Sequence, residues 1–341
     1  MLTTLPGLID AHVHLRTPGQ THKEDLSTGT RAALAGGFTH VLDMPNTTPP
    51  IVDRATLLDK LARVRERAHC DVATFLGGTE ANAATVAKLA GHPLVVGLKL
   101  YLGRTHGPLY LPHLSSMVDH LRSWPGIVAV HAEGWHLAAA IGIARLFGRP
   151  LHCCHVSREV EIELIRRAKE LGDRVTCEVT PHHLFLTEDD ARRLGPLSDM
   201  RPTLGTTADR DALWANLEVI DCVASDHAPH TLEEKRGADP PPGVPGLETT
   251  LPLLLNAVHE GRLSLDRLVE LLYGGPRGVY GLPRQSETTI EVDRSARHVL
   301  SGDTLYTKCR WTPFEGMPVR GRLVSVTLRG KGVYVNGKVR V

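Results

Sequence analysis

The chain has 341 residues, with 39 basic against 38 acidic side chains, and is 42% apolar and 23% charged. That balance is ordinary for a globular protein and gives no electrostatic case for nucleic acid or a membrane surface. There is no basic-then-apolar leader and no run of the roughly 18–20 apolar residues needed to span a bilayer, and the six cysteines, among them the adjacent Cys153 and Cys154, read as reduced thiols of a cytoplasmic protein.

The first apolar run, 7–15, carries His12 and His14 near its end. Side chains at i and i+2 of a strand point the same way, so the two imidazoles share a face and can share one cation. Further strands are predicted at 38–44, 71–77, 94–101, 127–133, 150–156, 174–180 and 219–226. Helical patterns lie between them. The segment 23–37 ends in a glycine pair, 54–68 sets leucines against charges, and 157–173 starts at a Ser157 cap and stops near Gly172. Eightfold strand–helix alternation predicts an α/β fold, a (β/α)8 TIM-type barrel over residues 6–284. A doubly wound open sheet is the runner-up, but no Gly-x-Gly-x-x-Gly follows any strand. The Pro/Gly-rich stretch 237–246 reads as a functional or bracing loop. After about residue 285 the period becomes two, in "TTIEVD", "HVLSGD", "RLVSVTLRG" and "KGVYVNGKVRV", with Arg-Gly and Asn-Gly turns. Residues 1–5 and 285–341 are therefore expected to form a small β appendage.

In such a barrel the catalytic groups sit at the C-terminal ends of the strands. There the chain places His12 and His14, Lys99, His131, His155 and Asp226, one group after another. Neutral imidazole and ionised carboxylate suit zinc. Lys99 stands apart, because an ammonium cannot ligate a metal and is costly to bury. Its head can snorkel to water. Alternatively, carbamylation by CO2 turns it into an anionic oxygen ligand able to bridge two cations.

These residues lie in "DAHVHLRTPG" (10–19), "DMPNTTPP" (43–50), "GLKLY" (97–101), "HAE" (131–133), "CHV" (154–156), "CEVTPHHLFL" (177–186) and "ASDHAPHTLEEK" (224–235), followed by "PPPGVPGLET" and "WTPFEG". With them the chain resembles the dihydroorotases of the amidohydrolase superfamily, above all the dihydroorotase domain of animal multifunctional pyrimidine-synthesis polypeptides. The resemblance runs from about residue 5 to the C-terminus. It implies two zinc ions, one held by His12, His14 and Asp226 and one by His131 and His155, bridged by carbamylated Lys99 and a hydroxide. It implies reversible cyclisation of N-carbamoyl-L-aspartate to L-dihydroorotate in pyrimidine biosynthesis, with Asp226 carrying the proton.

Substrate contacts implied by the resemblance are Arg16, Asn46, Arg201, His230 and the backbone of Pro242 and Gly243. Arg16 also follows His14 by two residues, so it is expected on the same strand face, where a guanidinium can grip a carboxylate. The segment 102–110, with Thr105 and His106, aligns with a flexible loop that closes over substrate. His106 departs from the apolar residue or threonine usual there, and Thr17 replaces a frequent glutamate. Cys154 and Glu178 either help hold a third ion or act as a small buried thiol and a carboxylate that orients a histidine. His152, His182 and His183 read as supporting residues. A homodimer, association with aspartate transcarbamoylase and a small-molecule substrate complete the expectation. The alternatives are a hydantoinase, dihydropyrimidinase or allantoinase acting on other cyclic amides, and an inactive scaffold.

Overall fold

The computed structural model describes residues 2–341. Strand β1 (Leu2–Pro6) precedes eight parallel strands: β2 (Leu8–Val13), β3 (Phe38–Asp43), β4 (Asp71–Gly77), β5 (Val95–Tyr101), β6 (Val128–His131), β7 (Leu151–Cys153), β8 (Val175–Val179) and β9 (Cys222–Val223). They pair in sequence order, and a parallel bridge from Val13 to His227 brings the last strand back to the first. The result is a nearly closed (β/α)8 barrel. β2 and β3 are buried at every position, as parallel strands flanked by helices must be.

The strands stop earlier than their apolar runs suggest, and the backbone shows why. Arg16, His155 and Asp226 have φ of 56°, 37° and 44°. Left-handed backbone is unfavourable for any residue with a Cβ, by roughly 1–2 kcal/mol, and it ends a ladder. Each of these turns lies just past a strand, at the barrel mouth. Arg16 therefore does not extend the face of β2 as the two-residue spacing suggests; the strand ends at Val13 and the chain turns.

Several helices follow local signals. Asp25 and Asp53 cap the helices Leu26–Ala35 and Arg54–Arg67 by accepting from the amides of Thr28 and Thr56. Ser157 is not a cap. The helix is Glu159–Glu170 with Arg158 at its start, and the Ser157 amide donates to Glu161 Oε2 at 3.2 Å. Glu161, four residues on in the same helix, also accepts from the Gly134 amide at 3.0 Å, so one carboxylate serves a local and a distant amide.

The second sheet is antiparallel, in the order β1, β10 (Thr289–Val299), β11 (Pro318–Leu328), β12 (Lys331–Val335), β13 (Lys338–Val339). Leu2 to Pro6 pair with Asp293 to Thr289. "TTIEVD" and the start of "HVLSGD" belong to one strand, β10, whose register shifts between Asp293 and Arg297. The Arg329-Gly330 and Asn336-Gly337 turns both have positive φ, the geometry of tight hairpins. Among the described residues no helix is long and apolar enough to cross a membrane.

Under the mouth lies a fully buried ion pair. Lys60 reaches from its helix to the Asp43 carboxylate at the end of β3 and donates to Thr17 O at 2.5 Å. Asp43 Oδ1 accepts from the Leu15 amide at 2.8 Å. Pair and carbonyl together fix the turn that carries Arg16. Removing one member strands a buried charge, so Lys60→Met should destabilise the fold by about 3–5 kcal/mol in urea unfolding. Stability within about 1 kcal/mol of the parent would show that the pair is not what holds the turn.

Candidate metal centre and adjoining cavity

His12 closes β2 and His14 follows it. Their Nε2 atoms lie 3.3 and 3.1 Å from one atom, Asp226 Oδ1. Opposite them His131 Nδ1 and His155 Nε2 face each other at 2.9 Å, and the His12 and His155 ring centroids are 5.3 Å apart. Lys99 is fully buried, and its ammonium donates to Cys154 Sγ at 2.8 Å, a weak acceptor for a cation.

This arrangement fits metal ions. Zinc–nitrogen bonds of about 2.0–2.1 Å put two ligand atoms of a tetrahedral cation roughly 3.3 Å apart, close to the separations seen here. Burial, reinforced by the nearby Lys99 charge, pushes His131 down to about 3, so it stays neutral with a lone pair to offer. Burial likewise lowers His14 to about 4, against the pull of Asp226. His12 behaves oppositely. Burial opposes its charge, yet Asp226 and Glu178 raise it to about 10. The carboxylates thus hold a proton where a divalent cation would also be welcome. Burial opposes ionisation of Asp226 as well, but His12 and His14 keep it well below the usual carboxylate range.

Glu178, fully buried on β8, accepts from His12 Nδ1 at 2.5 Å, from His152 Nε2 at 3.2 Å and from the His155 amide at 3.3 Å. These bonds are those of a carboxylate that orients a ligand imidazole and leaves its Nε2 free. Ligand atoms of His12, Cys154 and Glu178 also lie within 4.8 Å of one another, as do those of His152, Glu178 and Cys222. His183 is tied to Thr180 and to Pro202 O, whereas His182 Nε2 is buried without a partner.

The cluster opens into a cavity whose other walls are Arg16, Asn46, Thr105, His106, Arg201 and the Pro242-Gly243 backbone. Arg16 is buried, its Nε donates to Pro229 O at 3.2 Å, and burial lowers it to about 10. Among the described residues it has no carboxylate bonded to it. Asn46 is occupied at both ends: Oδ1 accepts from His14 Nδ1 at 2.8 Å, and Nδ2 donates to His106 O at 3.0 Å. It orients a candidate ligand and pins the 102–110 loop over the cavity. Arg201 pairs with Asp199. His230 is fully buried against the wall residues Arg16 and Pro242. Lys23 donates to its Nδ1 at 3.0 Å, and its Nε2 lies 3.0 Å from both Pro242 O and the Arg16 guanidinium. His106 packs edge-on against it, with centroids 4.9 Å apart. Among the described residues the buried Thr17 hydroxyl has no hydrogen-bond partner.

Two residues of the site were missed in the sequence. Tyr101 lines the cavity with its hydroxyl unpaired. It follows Lys99 by two positions, the same spacing that singles out His14. Asp10, fully buried, accepts from the amides of His12 and Ser225 at 3.1 Å and ties together the two segments that carry candidate ligands.

The sequence profile of the amidohydrolase family matches residues 3–100. The chain is 50% identical to the multifunctional protein CAD of Squalus acanthias and 47% to the multifunctional protein pyr1-3 of Dictyostelium discoideum, covering 100% and 98% of itself but 15% of each relative's length. It is 36% identical to a dihydroorotase of Pyrococcus furiosus over 96% of this chain and 81% of that one. The chain belongs to the dihydroorotase family. Among solved structures, an L-hydantoinase of Arthrobacter aurescens superposes with a TM-score of 0.95 at 26% identity, covering 99% of this chain and 86% of the other. An inactive dihydroorotase-like domain of a CAD-like multifunctional protein from Chaetomium thermophilum superposes at 0.84 with 27% identity, over 100% and 97% of the two chains. The dihydroorotase family therefore shares its fold with proteins of other activities and of none, and the side chains at the barrel mouth must decide between them.

Proposed function

We propose that this chain is a dihydroorotase, interconverting N-carbamoyl-L-aspartate and L-dihydroorotate in pyrimidine biosynthesis. The observation that carries the reading is Arg16, a buried guanidinium with no carboxylate bonded to it, at the wall of a cavity beside the histidine–aspartate cluster. A buried cation of this kind is satisfied when an anionic substrate arrives. His12, His14 and Asp226 would hold one zinc ion and His131 and His155 a second, with carbamylated Lys99 between them; when bound, the ions polarise the amide carbonyl and supply a nucleophile near neutral pH.

The chain's own groups do the rest. Arg16 fixes the ring carboxylate, and Glu178 and Asn46 hold His12 and His14 in orientation. The loop carrying Thr105 and His106 shuts out solvent. In ring opening the elements of water add across the amide C–N bond. Asp226 takes the proton from the attacking oxygen and delivers it to the leaving ring nitrogen. Ring closure runs the same transfer backward and releases water.

Arg16→Lys keeps the charge but loses the planar fork. It should raise KM for dihydroorotate by roughly 10–150-fold, the scale of a charge-assisted hydrogen bond; an unchanged KM and kcat would remove Arg16 from substrate binding. The hydantoinase-type alternative is favoured by the superposition with the Arthrobacter aurescens enzyme, but rings without a carboxylate leave Arg16 unpaired. Turnover of dihydroorotate, hydantoin and allantoin by zinc-loaded protein separates these readings, and no turnover of any would favour the scaffold. Metal analysis should find two zinc ions per chain. A third would assign the Cys154 and Glu178 donors. A homodimer associated with aspartate transcarbamoylase in the cytoplasm is the proposed setting, supported by the likeness to multifunctional relatives.

A further inference from the structure

Lys235 ends the short helix Leu232–Lys235 and is fully buried, away from the metal centre. Its ammonium donates to three backbone carbonyls: Asp199 O at 2.9 Å, Pro241 O at 3.0 Å and Gly243 O at 3.2 Å. An ammonium has three N–H donors, so main chain alone satisfies it. The Trp311 ring covers it at 5.7 Å, and Trp311 Nε1 donates to His230 O at 2.7 Å.

Those carbonyls belong to two different walls of the cavity. Asp199 leads into Arg201 and pairs with its guanidinium, while Pro242 and Gly243 line the cavity with backbone. The Gly243 amide also donates to Asp199 O at 2.9 Å. Gly243 sits at φ 138°, and a Cβ there would stand 2.5 Å from Ala228 O, so the strap has little room to settle elsewhere. One buried cation thus joins the Arg201 arm to the strap.

We propose that Lys235 is a positioning residue that clasps the 199–201 arm to the 241–243 strap and so sets how tightly the cavity holds its anionic substrate. The proposal rests on the dihydroorotase reading above. Lys235 touches neither the metal-facing side chains nor the cavity itself, so its loss should appear in KM and not in kcat. Burial pushes its ammonium down to about 8, with Asp199 opposing that shift and Arg201 adding to it. These two and His230 are the titratable or charged groups that face it. Above that pH the neutral amine has two N–H donors for three carbonyls.

The experiment measures KM and kcat for dihydroorotate from about pH 7 to about pH 9.5, with zinc content, in the wild type and in Lys235→Met. At about pH 7 the variant should show KM raised at least tenfold, kcat within about threefold and unchanged zinc. Its KM should be flat with pH, while that of the wild type climbs above about pH 8. A KM within about twofold of wild type, or a kcat that falls along with it, overturns the clasp. Should Lys235→Met not fold, Lys235→Gln, which keeps two N–H donors and no charge, is held to the same KM, kcat and zinc criteria, and a KM within about twofold of wild type overturns the clasp. Absence of wild-type turnover would reject the dihydroorotase reading instead, while turnover with an unmoved KM rejects the clasp alone.

Discussion

Asp226→Asn should keep a substantial part of its metal and lose about 10²–10⁴-fold in kcat in both directions, the contribution of a positioned acid–base group. The amide preserves shape and one oxygen toward His12 and His14, but it cannot carry a proton. In the wild type the two directions need opposite protonation states. His12 and His14 hold the carboxyl below its usual range against burial, so the base form dominates near neutral pH. Ring opening uses that form, and should be fully developed at higher pH and fade as acid protonates the group. Ring closure starts from the protonated form and should gain as pH falls. The check is zinc content beside forward and reverse kcat across pH. Near-normal turnover with an unchanged profile would move the proton transfer to another residue, with His230 the next candidate.

Lys99→Ala should lose most of its bound zinc and with it nearly all activity, and short carboxylic acids should restore part of both. The reason lies in the poverty of its surroundings. A fully buried ammonium has a thiol at 2.8 Å and the face of Tyr101 at 5.3 Å, and neither compensates a charge as a carboxylate would. Conversion of the amine to a carbamate, with loss of a proton, removes that cation and places an anionic oxygen near four histidines. A small acid diffusing into the vacated space can mimic that oxygen. Full zinc occupancy in Lys99→Ala would eliminate the bridging role. Zinc that is lost and never regained with acetate or formate would point to collapse of the pocket instead.

The barrel was legible because parallel strands buried on both faces must be apolar runs, and β4 spans the same residues in sequence and structure, 71–77. The histidines and the aspartate at the barrel mouth stood out because they interrupt those runs at their ends. What escaped was set by contacts between distant segments. The Asn46 amide is held by His14 Nδ1 and the His106 carbonyl, 32 and 60 positions away, which no local pattern shows. His230 meets Arg16, Lys23 and Pro242 O, contacts that reach back 214 and 207 positions and forward 12, and no local pattern announces them. The two open readings of Glu178 could be weighed only with His12 Nδ1 seen 2.5 Å away, 166 positions earlier in the chain. Ser157 is the local case: Glu161, four residues on, takes its amide, and the helix starts from Arg158.

The left-handed turns at Arg16, His155 and Asp226 also bear on directed evolution. Each position bears a Cβ where glycine would be more comfortable. Glycine at these three codons would ease the backbone, yet each change would delete a buried polar side chain of the barrel mouth, whose partners would be left behind. Backbone ease and turnover are opposed at the same three places. A library meant to harden this enzyme should freeze them and spend its diversity on the outer helices.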